Sequence, residues 1–254
     1  MLRRTRTALI SRVSANVIRW RNPNRPQFAC PICDYHGTFL DVFAETGSRS
    51  HVECPKCHAL ERHRLQWLVL RELQKECDLA ELRVLHVAPE QFFESRLRGR
   101  CGSYLTTDLV AKGVDRREDL TALSFGDGSF DLVYASHVLE HIPNDEAAIR
   151  EIRRVLSPRG IAILPVPVVS DVTVEYGAPN PYEVFHVRAP GLDYFMKYEN
   201  VFNRVRVFES SGFDEKFQVW IHEDRSGWPT DRMPQRRKMM GLKHSDYVPV
   251  CYVS

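Results

Sequence analysis

The chain has 254 residues, of which 43% are hydrophobic and 27% charged, with 13 glycines and 15 prolines. Those values exclude collagen-like, low-complexity and wholly disordered chains, and the length allows one large domain plus a small module. The longest apolar run, 161–169, is broken by Pro165 and Pro167, well short of the roughly 20 apolar residues of a transmembrane helix.

The formal net charge of +2 conceals an asymmetry. Arg3, Arg4, Arg6, Arg12, Arg19, Arg21 and Arg25 all precede position 34, with no acidic residue among them. The other 28 of the 35 basic residues face 33 acidic ones, so a basic leader (1–27) precedes a mildly acidic body. Such a leader suits an anionic contact, either nucleic acid or a membrane surface, or a solvated tail. Arg12 and Arg19 interrupt any secretory apolar segment, while the arginine-rich, acid-free start is similar to a mitochondrial transit peptide. A cytoplasmic location is expected, or a mitochondrial one in a eukaryote.

Residues 28–60 hold four organised cysteines. Cys30-Pro-Ile-Cys33 and Cys54-Pro-Lys-Cys57 have the spacing of a zinc ribbon, four thiolates around a tetrahedral Zn²⁺. A disulfide pair is the alternative, disfavoured because nothing marks the chain as secreted. His36, His51, His58 and His63 lie close by as substitute ligands, but four cysteines already complete the shell. A closed shell of four thiolates leaves no open position, so the metal is expected to be structural. Cys77, Cys101 and Cys251 read as ordinary thiols.

Residues 61–254 then alternate strands and helices. Glu61–Cys77 reads as a helix through Leu65, Leu68, Val69 and Leu73. Leu82–Ala88 is a strand and Glu90–Arg98 a helix; Ser103–Thr107 is a second strand ending at Asp108. A weak third strand near Val114 leads to Asp119, and Phe130–Ala135 is a fourth. Asp145–Leu156 is a helix, its apolar stripe formed by Ala148, Ile149, Ile152 and Val155 and its end set by Pro158 and Gly160, and Ile161–Val166 is a buried strand. Tyr198–Ser211 reads as a helix ending at Gly212. Phe217–Ile221 and Val248–Val253 read as two last strands around an insertion at 222–247. Ala44–Arg49 and Val168–Pro190 read as long loops, the second placed where a lid would serve. The order fits an α/β domain with a largely parallel sheet.

Three segments carry a resemblance. They are Tyr104-Leu-Thr-Thr-Asp108-Leu; Glu118-Asp119-Leu-Thr-Ala-Leu-Ser-Phe125 with Gly128-Ser-Phe-Asp131-Leu-Val-Tyr-Ala-Ser-His137-Val-Leu-Glu140-His141; and Glu151-Ile-Arg-Arg-Val-Leu-Ser-Pro-Arg-Gly160-Ile-Ala-Ile-Leu. As a set, over roughly residues 80–220, they resemble the class I S-adenosylmethionine-dependent methyltransferases. The resemblance implies a Rossmann-like sheet, largely parallel with its last strand antiparallel, preceded here by the small zinc ribbon. It also implies that Asp108 accepts from the ribose hydroxyls, Asp119 from the adenine amino group, that Leu120 flanks the ring, and that Ser136 and His137 border the methionine end and the acceptor.

The first loop departs from the family. Val84-Leu-His86-Val-Ala88-Pro89-Glu90 has His86 where an acid is expected and no glycine. Ala88 is small enough for close approach, and Glu90 is placed to bind the cofactor's amino group. The same loop, the His58-Ala-Leu-Glu-Arg-His start and Phe185-His186-Val-Arg188 resemble a zinc-ribbon subgroup of these enzymes.

Methyl transfer from a sulfonium needs mainly alignment, and an oxygen or nitrogen nucleophile must also lose its proton. His137 is the first candidate for that base, with Glu140 or His141 orienting it. His186 is another, and with Arg188 it is placed to close over the cofactor or bind an anionic acceptor. A small-molecule acceptor is expected. An RNA acceptor gripped through the ribbon and the basic termini (Arg62 and Arg64 a beginning of that surface) and a non-catalytic zinc-stabilised scaffold are the alternatives.

Overall fold

The computed structural model describes residues 24–44 and 47–254. Most of the arginine-rich leader therefore lies outside the described residues. In chain order the strands are β1 (Phe28–Ala29), β2 (His36–Gly37), β3 (Leu40–Ala44), β4 (Gly47–Glu53), β5 (Arg83–Val87), β6 (Ser103–Asp108), β7 (Arg116–Arg117), β8 (Phe130–Ala135), β9 (Leu156–Ile163), β10 (Val174–Asn180), β11 (His186–Ala189), β12 (Arg204–Glu209), β13 (Ile221–His222), β14 (Lys243–His244) and β15 (Tyr247–Tyr252). The longer helices are Glu61–Leu73, Gln91–Leu97 and Asp145–Val155. No helix among the described residues is long and apolar enough to cross a membrane.

The chain forms two compact units. One takes the described residues up to Arg71 together with Glu209–Gly227 and Met239–Asp246. It contains three antiparallel ladders, β1 with β2, β3 with β4, and β13 with β14. Its helix Glu61–Leu73 buries Leu65, Leu68 and Val69, as the spacing predicts.

The other unit, Glu72–Phe208 with Trp228–Lys238 and Tyr247–Ser254, holds a seven-stranded sheet in the order β12-β15-β9-β8-β5-β6-β7. The β5–β6, β5–β8, β6–β7 and β8–β9 pairs are parallel, and β15 runs antiparallel to β9, as expected for the last strand. The order turns at β5 and β8, so the carboxyl ends of those strands form the switch point where such sheets hold ligands. The apolar stripe of Asp145–Val155 is fully buried at Ala148, Ile149, Ile152 and Val155. Burying each larger member stabilises the fold by roughly 1.5–3 kcal/mol. Asn144 caps this helix by accepting from the Ala147 amide at 3.2 Å.

Four readings of the sequence are corrected. Tyr198–Ser211 is no helix: a four-residue turn of helix at Met196–Glu199 precedes strand β12. Arg204-Val-Arg-Val-Phe alternates with period two, and the Arg204 and Arg206 guanidinium groups lie over the Tyr252 and Phe208 rings. Phe217–Ile221 is no strand, because Gln218 adopts a left-handed backbone (φ +47°) after the turn Glu215–Phe217, and ladder pairing begins at Ile221. Val168–Pro190 is not a plain loop: β10 and β11 pair antiparallel, with Glu175 opposite Arg188. Of Ala44–Arg49, the described residues Ala44 and Gly47–Arg49 likewise belong to the β3–β4 ladder.

Candidate functional site

In the first unit the two knuckles are built alike. Asp34 and His58, each following the second cysteine, have left-handed backbones, and their amides donate to the carbonyls of Cys30 and Cys54 at 3.1 and 2.8 Å. The Cys30 and Cys54 amides donate to Tyr35 and Ala59 at 2.8 and 2.9 Å. These bonds turn all four sulfurs inward, so that Cys30, Cys33, Cys54 and Cys57 cluster within 4.8 Å. The Cys30–Cys57 and Cys33–Cys54 sulfurs are 3.6 Å apart. All are free thiols rather than disulfides, and a tetrahedral set at a Zn–S distance of about 2.3 Å has edges of about 3.8 Å. The donor set fits zinc. The nearby histidines are occupied elsewhere: His58 meets Glu53 at 2.5 Å, His63 accepts from the Leu60 amide at 3.2 Å, and His51 contacts Arg25 at 3.1 Å. His36 lies on an exposed strand position.

Arg64, read from the sequence as a start of a nucleic-acid surface, is fully buried. Its guanidinium donates to the carbonyls of Val52, Ala59, Phe217 and Gln218 and stacks over Phe39 at 4.4 Å. Burial pushes its pKa down to about 10, against the attraction of Glu61 and of Cys30, Cys54 and Cys57. It remains a cation beside the sulfur cluster.

In the second unit a cleft of about 630 Å³ opens at the carboxyl ends of the central strands. Ala88, Asp108, Asp119, Leu120, His137 and His141 all line it, together with Leu109, Val110, Glu118, Val138, Ile142 and Asn144. Its volume is in the range of small-molecule sites. Two non-glycine residues with left-handed backbones flank it, Ala88 (φ +46°) after β5 and His137 (φ +55°) after β8. The Ala88 amide donates to Thr107 at 2.7 Å and the His137 amide to Pro165 at 2.9 Å. Ala88 thus supplies, without glycine, the sharp exit that keeps the cleft open at β5.

Asp108 ends β6, and its Oδ1 accepts from the amides of Val110 and Ala111 at 2.8 and 2.7 Å. Asp119 follows β7, and its Oδ1 accepts from the Thr121 hydroxyl and amide, which hold its carboxyl below the usual range. Leu120 is buried in the wall. Glu90 caps the helix Gln91–Leu97 by position, without a side-chain cap bond. His86, Glu90 and Ser136 do not line the cleft. The fully buried His86 ring bonds the Tyr104 hydroxyl at 2.5 Å and meets Tyr134 edge-on, and burial pushes its pKa down to about 3. Ser136 is buried at the end of β8.

The three histidine candidates converge on Glu140. His137 Nδ1 lies 3.5 Å and His186 Nε2 3.9 Å from Glu140 Oε1, and the His141 and His186 rings meet at 4.6 Å. Burial pushes the His186 pKa down to about 4. Arg188 is not available to an acceptor. It is buried and donates to the carbonyls of Leu139, Ile142 and Pro143 at 2.7, 2.7 and 3.1 Å, and to Glu175 at 2.9 Å. It therefore holds the turn that carries Glu140 and His141 in place. No sequence signal marks that role; the cross-strand Glu175–Arg188 pair becomes visible only with the hairpin. The exposed Leu109-Val110 lip was also missed, although two apolar residues directly after a strand-end acid are a readable cue.

Residues 84–164 match the family described as a methyltransferase domain. No curated protein matches the chain. Among solved structures, an S-adenosylmethionine-dependent methyltransferase from Mesorhizobium loti is 13% identical, with 76% of this chain and 99% of that one covered and a TM-score of 0.50. The YcgJ protein from Bacillus subtilis is 17% identical over 75% of this chain and 96% of its own, with a TM-score of 0.44. Residues 84–164 thus match a methyltransferase domain, and the unit that contains them has the fold of a class I S-adenosylmethionine-dependent methyltransferase, in a chain that also carries a cluster of four cysteines.

Proposed function

We propose that this methyltransferase moves a methyl group to an oxygen or nitrogen of a small-molecule acceptor, and that its four-cysteine cluster holds a structural zinc. The observation that carries the reading is the open cleft with Asp108, Asp119 and His137 on one wall system. Asp108 keeps a carboxylate oxygen for the ribose hydroxyls while the other fixes its loop. Asp119 and Leu120 take the adenine edge and face. Bound S-adenosylmethionine supplies an electrophilic methyl on a sulfonium sulfur. His137 stands at the acceptor end and takes the acceptor proton at an imidazole nitrogen, with the Glu140 carboxylate orienting its ring. His141 lines the acceptor side, His186 packs against its ring at 4.6 Å, and Arg188 fixes the turn that carries His141. Alignment carries most of the acceleration, which suits a rigid turn held by one arginine.

Burial of Arg64 favours the small-molecule reading over RNA, since it removes one cation from the ribbon surface. Calorimetry with S-adenosylmethionine and S-adenosylhomocysteine tests the cofactor: micromolar binding is expected, and absence of binding leaves only the scaffold. Transfer of labelled methyl to a metabolite extract, against transfer to total RNA, then separates the acceptors. Labelled RNA with steep salt dependence would overturn the small-molecule reading.

A further inference from the structure

Beneath the cleft wall lies a carboxylate with no close proton donor. Glu140 is fully buried, neither oxygen makes a full hydrogen bond among the described residues, and the nearest donor atom given for it, His137 Nδ1, stands 3.5 Å from Oε1. Burying such a group is costly unless a cation or donor compensates it. The buried arginines of this region are engaged elsewhere: Arg188 with three carbonyls and Glu175, Arg236 with Glu183 at 2.8 Å. What surrounds Glu140 is imidazole. One ligand atom each from Glu140, His141 and His186 falls within 4.8 Å of the others, on the turn Leu139–His141 and at the start of β11. His186 faces Glu140 through Nε2 at 3.9 Å, while its buried Nδ1, without a hydrogen-bond partner among those residues, lies 4.0 Å from Glu183.

We infer that Glu140, His141 and His186 form a binding site for a divalent first-row transition-metal ion. Two imidazoles and one carboxylate are the donor set that zinc, iron(II), cobalt(II) and manganese(II) accept, with positions left open for an exogenous ligand. Neighbouring ligand atoms around such an ion stand about 3 Å apart, so atoms now within 4.8 Å of one another must draw together by up to about 2 Å to close on it. The ion would supply the missing counter-charge for Glu140. Because His141 lines the cleft, its open positions take an oxygen donor of a molecule bound there, a hydroxyl, phenol or carboxylate. That last step rests on the methyl-acceptor reading; the metal site does not.

The test uses the full, tag-free chain loaded with cobalt(II) and desalted. Two equivalents per chain are expected, one with intense sulfur-to-cobalt charge transfer and one without. His186→Ala and His141→Ala should each lose the second equivalent and keep the first. One equivalent in the unsubstituted protein, or a second one that survives both substitutions, overturns the inference. Should a variant fail to fold, the stoichiometry and spectrum of the unsubstituted chain still decide. Calorimetry with S-adenosylhomocysteine on the same protein separates the two readings: a second ion without nucleoside binding leaves this site standing and removes the methyltransferase cleft, and the reverse does the opposite.

Discussion

Arg64 Nη2 donates to the Gln218 carbonyl at 2.6 Å, joining the helix after the second knuckle to a turn 154 positions away in the chain. The bond explains why Gln218 leaves the strand conformation. Its carbonyl, with that of Phe217, is turned to the guanidinium, and its side-chain amide donates to the His51 and Trp220 carbonyls. A lysine has three donors in place of a five-donor fork, so Arg64→Lys leaves buried carbonyls bare. It should destabilise the protein by about 3 kcal/mol or more, read as a shift in the urea midpoint. A loss below about 1 kcal/mol, the worth of a single hydrogen bond, would show the carbonyls to be satisfied another way.

Metal removal should act on the first unit before the second. With four sulfurs drawn together by paired knuckle turns, thiolate repulsion replaces metal bonds once the ion is stripped. A strong chelator should abolish amide-exchange protection in β3 and β4 while β5 and β8 stay protected. Cys54→Ser should reproduce the pattern without chelator. Equal loss in both sets of strands would contradict the structural role.

How much of this was readable beforehand follows from the range of the interactions. The sheet was legible because Val84–Val87, Phe130–Ala135 and Ile161–Ile163 are buried runs whose pattern depends on their own residues. The four-cysteine cluster and Asp108 were legible from fixed local spacing. Glu140, His141 and His186 could be named but not joined, since the last comes from a hairpin that the sequence suggested was loop. Arg64 and Arg188 were misjudged because most of their partners are backbone carbonyls, which carry no sequence signature.

Asp108→Ala should weaken S-adenosylhomocysteine binding by about 10–100-fold, the worth of hydrogen bonds to a charged group. Its Oδ1 also caps the Val110 and Ala111 amides, so Asp108→Asn is the sharper variant, keeping that cap while removing the charge. Calorimetry on both decides, and unaltered affinity in each would remove Asp108 from the nucleoside site.

Ala88→Gly tests the glycine-free loop. At φ +46° an alanine is strained by roughly 1 kcal/mol relative to glycine, an advantage partly offset by the greater freedom of unfolded glycine. Stability should hold or rise slightly, with cofactor affinity retained. Ala88→Val, by contrast, puts a β-branched residue into a left-handed position on the cleft wall. It should lower the melting temperature and weaken binding at least tenfold. A valine variant that binds normally would show that the exit from β5 does not shape the cleft.

Acid sensitivity should trace in part to His86. Its folded pKa of about 3 lies below the ordinary 6.5 because the ring is buried. Below pH 6.5 the unfolded chain therefore takes up a proton that the folded protein refuses. The stability in question is fully present above pH 6.5 and falls by up to about 1.36 kcal/mol per pH unit until about pH 3, or about 2 kcal/mol by pH 5. His86→Gln removes the titrating group and keeps polar atoms near the Tyr104 hydroxyl, to which Nδ1 now bonds. The variant should be less stable at pH 7.5, yet its stability should decline less between pH 6.5 and 5. Parallel urea titrations at those three values measure the slope, and parallel curves for the two proteins would mean that His86 is protonated in the fold.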